Sequence, residues 1–352
     1  MPMPNQRQRI IDANLNRAGE GLHLLEELAR MMLNDAVLTQ RLKTIRHEIL
    51  RGDLAFNQQL IQSRDSESDV GFDIEAVGEG KQRELPIVVV ANARRVQEAL
   101  RILEELAKVP GTTPQLDADK FKQARFALYS LEQELLSRLL RRDKTSKLAG
   151  LYAIIDSQLL GKRSHLKVAE ELIRGGASVI QLRDKFSAKA ELLPIAQQLK
   201  KLCAEKGVLF IVNDHLDIAL AASADGLHLG QGDLPISLTR RLLPMDMILG
   251  CSVNTVEQAK AAEADGADYI AVGSMYPTTS KEKPRVVGVG RLQQVRGVVS
   301  LPLVAIGGIN KDNAAEVAAN GADAVAVISA VLGAKDIADA ARKIITSFEA
   351  GK

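Results

Sequence analysis

The sequence predicts two folds in succession: an all-α domain resembling a four-helix bundle, then an α/β domain built as a (β/α)8 barrel. Three observations predict this. Glycine is uneven, with 7 of the 26 glycines in residues 1–148 and 19 in residues 149–352; glycine disfavours helix interiors and marks turns and close backbone approaches. The first part contains an internal repeat with helical periodicity. The second alternates eight short aliphatic runs with helix-length amphipathic stretches.

In the first part, residues 13–30 (ANLNRAGEGLHLLEELAR) and 91–108 (ANARRVQEALRILEELAK) are identical at 10 of 18 positions at an offset of 78. Leu22, Leu25 and Leu28 recur as Leu100, Leu103 and Leu106, one apolar helix face in each copy. A second helix pattern follows each copy, with Lys43 and Arg46 matched by Lys122 and Arg125. Two helix pairs, each needing a partner, imply a four-helix bundle with pseudo-twofold symmetry. Asn14, Arg17 and Glu20 recur as Asn92, Arg95 and Glu98. They fit interhelical ion pairs, or a binding or dimerisation site on the symmetry axis. The polar segment 63–71 is placed to cover such a site. The charged stretch RRDKTSK (141–147) ends this part, which sets the domains at 1–148 and 149–352.

In the second part the predicted strands are GLYAII (150–155), SVIQLR (178–183), VLFIV (208–212), GLHLG (226–230), MILGCS (247–252), DYIAVG (268–273), PLVAIGG (302–308) and DAVAVI (323–328). Eight strands alternating with helices indicate a (β/α)8 barrel. A doubly wound sheet is the alternative, weakened because no G-x-G-x-x-G follows the first strand.

Composition excludes several classes. Lys and Arg number 46 and Asp and Glu 44, for a net charge of +2. Each side of residue 148 holds 23 basic and 22 acidic residues, so neither shows a nucleic-acid footprint. No apolar run approaches the roughly 18 residues of a membrane helix. The opening MPMPNQRQRI lacks the apolar stretch of a secretory signal, so a cytoplasmic location is expected. Two distant cysteines, Cys203 and Cys251, predict neither disulfide nor thiolate zinc site. With no Trp and 3% aromatics, the core must be aliphatic.

Barrel active sites form at the C-terminal ends of the strands. Strand two ends in Gln181-Leu182-Arg183-Asp184-Lys185, where alternation points Gln181, Arg183 and Lys185 the same way: an anion site, or an exposed loop. Strand three ends in Asn213-Asp214, and the loop after strand four ends in Asp233. Two carboxylates at one mouth suit Mg2+, which keeps waters and shares a phosphate-bearing substrate; helix capping is the alternative. Ser252 ends strand five and either binds substrate or caps a helix. His228 reads as a packing or supporting residue. After strand six, Thr278, Thr279, Ser280 and Lys281 suit an anionic group within a long, lid-like loop, 274–290. Gly308 ends strand seven, and Ile328 and Ser329 end strand eight, where barrels often hold phosphate on backbone N–H groups. Two anion sites imply two phosphorylated substrates, one a diphosphate. A phosphosugar isomerase or aldolase would instead need a buried Lys or acid–base pair on a strand, and a phosphate sensor is a third possibility.

The motifs QLRDK (181–185), ND (213–214), DGLHLGQGD (225–233), CS (251–252), PTTSK (277–281), AIGGI (305–309) and VIS (327–329), in this order, resemble those of the thiamine-phosphate synthase family. The resemblance spans residues 149–345. It implies condensation of a hydroxymethylpyrimidine diphosphate with a thiazole phosphate, or its carboxylated form, to thiamine monophosphate. Pyrophosphate leaves first, a pyrimidine-methyl cation forms, and the thiazole nitrogen captures it. By matched position, Gln181, Leu182, Arg183, Asp184, Lys185, Asn213, Ser252 and Lys281 take the pyrimidine diphosphate, with Arg183, Ser252 and Lys281 catalytic. Asp214 and Asp233 hold Mg2+. Thr278, Thr279, Ser280, Gly308, Ile328 and Ser329 take the thiazole phosphate. The family commonly has Thr where this chain has Ser280, and the hydroxyl is kept. The partners implied are two phosphorylated small molecules, with neither nucleic acid nor membrane and with room for a homo-oligomer. The helical part resembles an extension found on some members, chiefly cyanobacterial. Related extensions are linked to hydroxymethylpyrimidine phosphorylation, although residues 1–148 contain no Gly-rich nucleotide loop.

Overall fold

A computed structural model describes residues 4–65, 84–111, 116–278 and 286–352. The chain divides into two compact units, Met1–Leu140 and Arg141–Lys352. No helix among the described residues is long and apolar enough to cross a membrane.

Among its described residues the first unit has five α-helices, one more than two pairs require: α1 (Pro4–Glu27), α2 (Ala36–Leu50), α3 (Leu54–Gln62), α4 (Leu85–Ala107) and α5 (Ala118–Thr145), the last running on past Leu140. A π-helical turn, Leu28–Met32, extends α1. The additional helix is α3. Asp53 caps its N-terminus by accepting from the Phe56 amide (2.8 Å), and Phe56 and Leu60 join the core. Leu22, Leu25, Leu100 and Leu103 are buried at the centre of that core. The duplication also preserves two ion pairs: Arg46 Nε lies 2.9 Å from Glu26, and the Arg125 guanidinium 2.9 Å from Glu104. Burial and cation contact fall on these two glutamates, not on Glu20 and Glu98, which are exposed. Asn14 and Asn92 each donate to a carbonyl four residues back, Ile10 (2.7 Å) and Val88 (2.8 Å). Of the polar segment 63–71, residues 66–71 lie outside the described residues.

The second unit is a closed barrel of eight parallel strands in sequence order, β8 pairing with β1. β1 (Gly150–Asp156) is followed by α6 (Ser157–Leu160) and α7 (His165–Arg174). Then come β2 (Val179–Arg183), α8 (Lys189–Lys206), β3 (Leu209–Asn213), α9 (Leu216–Ala221), β4 (Gly226–Leu229), α10 (Ile236–Leu242), β5 (Ile248–Val253) and α11 (Val256–Ala264). β6 (Tyr269–Gly273), α12 (Gly288–Arg296), β7 (Leu303–Ile306), α13 (Ala314–Ala319), β8 (Ala324–Val327), α14 (Ser329–Leu332) and α15 (Ile337–Ala350) complete it. All eight expected strands are present. Period-two alternation splits their side chains into two cores. Leu151, Ile180, Leu182, Phe210 and Leu249 pack outward under the helices. Tyr152, Ile154, Val179, Leu209, Ile211, Ile248, Tyr269 and Ala271 fill the barrel interior.

A recurring clasp closes the N-terminal end. Asp225, Asp268 and Asp323 immediately precede β4, β6 and β8. Their carboxylates accept from the amides of Phe210 (3.0 Å), Leu249 (2.8 Å) and Leu303 (2.7 Å), each on the preceding strand. Each also faces a cation: Lys200 for Asp225 (2.6 Å), Arg240 for Asp268 (3.1 Å) and Arg296 for Asp323 (3.0 Å). Asp268 has a second cation in Arg141, at 2.7 Å. Lys144 reaches Asp246 (2.9 Å). The last turns of α5 therefore pack with the barrel, and the compact units part ahead of the charged stretch at 141–147.

Candidate active site

The strands aim a set of polar side chains into the C-terminal mouth of the barrel. On β2, Gln181 and Arg183 share the inward face, one register step apart from Leu182. Gln181 is buried and donates through Nε2 to Asn213 Oδ1, 2.8 Å away at the end of β3. Arg183 forms an ion pair with Asp156, the buried last residue of β1 and its register partner. The other Asp156 oxygen accepts from the Gln158 amide (3.0 Å), which fixes the carboxylate. Lys185 Nζ lies 3.8 Å from Asp214. Asp214 adopts a left-handed backbone (φ 63), which Asp tolerates better than most residues.

Asp214 and Asp233 come together from separate loops. Burial, then the hydrogen bond and the negative charge of Asp233, push the Asp214 carboxyl up to about 6, against the pull of Lys185 and Arg183. Asp233 is itself oriented by the Gly230 amide (2.7 Å). Two carboxylates this close share a proton or a cation, and among the described residues no third acidic, His or Cys ligand joins them. That donor set suits a hard divalent ion that completes its shell with water and phosphate oxygens.

Beneath Ser252 runs a buried chain of hydrogen bonds. Ser252 Oγ is 2.8 Å from His228 Nε2, His228 Nδ1 is 3.0 Å from the Tyr269 hydroxyl, and that hydroxyl is 2.9 Å from the Tyr152 hydroxyl. Burial lowers the His228 imidazole to about 4, so it is neutral near pH 7. Gly250 makes this packing possible. A Cβ there would lie 2.0 Å from Cζ of Tyr269, so only glycine leaves space for the ring.

On the opposite side, the loop after β6 is held against the end of β7. The amides of Met275 and Tyr276 donate to Ile306 (2.9 Å) and Gly307 (3.0 Å). Gly308 has φ +69, and a Cβ on it would approach the Pro277 carbonyl to 2.5 Å. This contact holds Tyr276 and Pro277, and so the start of the segment carrying Thr278, against Gly308 at the end of β7; Ile328 and the exposed Ser329 follow the neighbouring β8. Thr279, Ser280 and Lys281 lie outside the described residues.

Two expected substrate contacts have other partners. Leu182 is 1% exposed and its side chain faces the outer core. Strand alternation forces this, since Gln181 and Arg183 on either side point inward. The buried Asp184 folds the loop after β2. It accepts from the Phe186 amide (2.9 Å), the Ser187 amide (2.8 Å) and the Ser187 hydroxyl (2.7 Å). Burial alone would raise its carboxyl, but these bonds and the Ser157 hydroxyl bring it down to about 2. Three residues the sequence did not single out, Asp156, Tyr152 and Tyr269, complete the interior. Extending the alternation of β1 by one residue, and reading β6 with the same rule, puts all three inside.

The comparisons with known proteins agree with this architecture. Residues 151–331 match the family model described as thiamine monophosphate synthase, and residues 9–134 match that of the ThiD2 family. A thiamine-phosphate synthase of Thermosynechococcus vestitus is 38% identical over 347 residues, 98% of this chain and 96% of that protein. One from Methanospirillum hungatei is 53% identical over 195 residues, 55% of this chain and 95% of its own length. The thiamine phosphate pyrophosphorylase structure from Pyrococcus furiosus superposes with a TM-score of 0.54 at 41% identity, covering 58% of this chain and 98% of that one. By its barrel, its motif order and these near full-length matches, the chain belongs to the thiamine-phosphate synthase family, enzymes of thiamine biosynthesis.

Proposed function

We propose that the barrel joins 4-amino-2-methyl-5-hydroxymethylpyrimidine diphosphate to 4-methyl-5-(2-phosphoethyl)thiazole, or its carboxylated form, giving thiamine monophosphate and pyrophosphate. The observation that carries this is the meeting of Arg183 and Lys185 with the facing carboxylates of Asp214 and Asp233 at one mouth. Gln181, Asn213 and Ser252 bind and orient the pyrimidine. Arg183 and Lys185 bind the diphosphate, with Lys281 from the loop after β6. Asp214 and Asp233 would hold Mg2+, which when bound supplies positive charge to the diphosphate oxygens. The methylene C–O bond breaks with its electron pair leaving on the diphosphate. The thiazole ring nitrogen then donates its lone pair to the methylene carbon; the carboxylated substrate also loses CO2. The thiazole phosphate is taken by Thr278, Thr279 and Ser280 with the backbone at Gly308, Ile328 and Ser329.

Such chemistry needs no general base, and the interior offers none poised for it: His228 is neutral and engaged at both nitrogens. The inward positions of the eight strands hold no Lys among the described residues, which removes support from a Schiff-base aldolase. We assign the synthase activity to residues 149–352 and an accessory role to 1–148. The Methanospirillum relative supports this, since 195 aligned residues are 95% of its length. The test is pyrophosphate release from the two substrates with Mg2+ by the full chain and by a barrel fragment. Release by both is expected, with Lys281→Ala slowing turnover strongly. Absence of pyrophosphate from the full chain would refute the transferase, and a folded but inactive fragment would refute the accessory role.

A further inference from the structure

The helical unit carries one feature that its own packing does not explain. Between residues 13–30 and 91–108, most identities have a structural reason. The repeated leucines form the core, Asn14 and Asn92 bond to their own helices, and Glu26 and Glu104 hold buried ion pairs. Ala29 and Ala107 pack in or against the core, and Glu27 and Glu105 pair with Arg30 and with Arg101 and Lys108. The remaining identities are Ala13/Ala91, Arg17/Arg95 and Glu20/Glu98. Their spacing of four and three residues places them on one stripe of each helix. Arg17, Glu20, Arg95 and Glu98 are exposed and make no hydrogen bond or ion pair among the described residues. Exposed positions off the stripe have diverged, as in Asn16/Arg94 and His23/Arg101.

The stripes flank the seam between α1 and α4. Gly21, the helix-surface neighbour of Arg17, lies so close to α4 that a Cβ on it would be 2.5 Å from Cγ2 of Val96. Both stripes therefore border one face, related by the internal twofold. That face carries two cations and two anions at its centre. A polyanion or phosphate ligand would need an excess of cations, and a metal an excess of carboxylates. A charge-balanced set repeated about a dyad is self-complementary, as an isologous interface requires.

We infer that the α1–α4 face binds the same face of a second copy of this chain, Arg17 and Arg95 of each meeting Glu20 and Glu98 of the other. Residues 10–27 span about 26 Å at 1.5 Å per residue. Two such helices about 10 Å apart offer on the order of 500 Å² per copy, the low end for specific association. The dimer is therefore weak and depends on protein and salt concentration.

Sedimentation of the full chain over a range of concentrations tests this. The wild type should dimerise reversibly, less so in high salt. Arg17→Glu with Arg95→Glu should weaken association about tenfold or more, as should Glu20→Arg with Glu98→Arg. Combining all four changes, or mixing the two double variants, should restore it. The substituted positions are exposed, so circular dichroism should show each variant folded. A wild type that stays monomeric, an oligomer indifferent to charge reversal, or failure of the four-fold swap to restore association would each overturn the inference.

Discussion

Replacing Arg141 with Met should destabilise the barrel although the residue lies before β1. The Arg141 guanidinium donates from Nε to Asp268 Oδ1 at 2.7 Å and from a terminal nitrogen to the Met245 carbonyl at 3.0 Å. Both side chains of the ion pair are 9% exposed. Removing the sole partner of a buried charge costs about 3–5 kcal/mol. Asp268 would keep Arg240 and the Leu249 amide on its other oxygen. The loss is then nearer one charge-assisted hydrogen bond, about 1.5–3 kcal/mol. Arg240 gives part of this back. Burial and the neighbouring Arg141 hold its guanidinium down at about 10, and removal of Arg141 relieves that repulsion. A net loss of about 2 kcal/mol corresponds to roughly 4–8 °C for a unit of this size. Tyrosine fluorescence during urea or thermal unfolding reports mainly the barrel, because three of the four tyrosines, Tyr152, Tyr269 and Tyr276, lie there and the chain has no Trp; a Tyr129→Phe background removes the signal of the helical unit. Arg142→Ala, which removes only an exposed contact with Asp143, should change stability by less than about 0.5 kcal/mol. For the same reason a barrel fragment beginning at 141 should be more stable than one beginning at 149. Arg141→Met as stable as Arg142→Ala, or two fragments of equal stability, would refute the reasoning.

Other perturbations have equally specific outcomes. Gly250→Ala puts a methyl 2.0 Å from the Tyr269 ring; the barrel should lose about 3 kcal/mol or fail to accumulate as soluble protein, measured by urea midpoint and yield. Folding holds His228 neutral down to about pH 4, whereas the unfolded imidazole takes a proton below about 6.5. Its contribution is therefore complete above pH 6.5 and is lost as pH falls toward 4, by about 3 kcal/mol at most. His228→Gln should remove that component from a plot of unfolding midpoint against pH. Asp156→Asn leaves a neutral partner for Arg183; KM for the pyrimidine diphosphate should rise about tenfold with the thiazole KM unchanged. Equal rises in both would show a general loss of structure instead.

How much was legible in the sequence depended on the range of the interaction. The eight strands and most barrel helices were readable because alternation and helical periodicity are local consequences of backbone geometry. So were the inward directions of Gln181 and Arg183, from the same period of two. The repeat showed the matched helices, and it also displayed Arg46 and Arg125 without revealing their partners. The helix α3 was missed because nine residues give too short a periodic signal; its caps and core contacts decide it. Asp156 was missed by ending β1 one residue early, and with it the ion pair that fixes Arg183.

The sequence by itself determined the succession of a helical and a barrel unit, the order of the motifs at the strand ends and the family they belong to. The two units and the strand ends are written in composition, period and spacing, and the family in the motifs the chain resembles. Only the tertiary structure decided which polar residues meet. Asp214 and Asp233 are 19 positions apart, Ser252 and Tyr152 a hundred, and Arg141 and Asp268 more than a hundred. Their pairing depends on barrel closure, which brings distant strand ends into one small volume. Burial there then decides two of the charges: it keeps His228 neutral and raises Asp214 beside its neighbouring carboxylate, whereas hydrogen bonds from the loop after β2 outweigh it at Asp184.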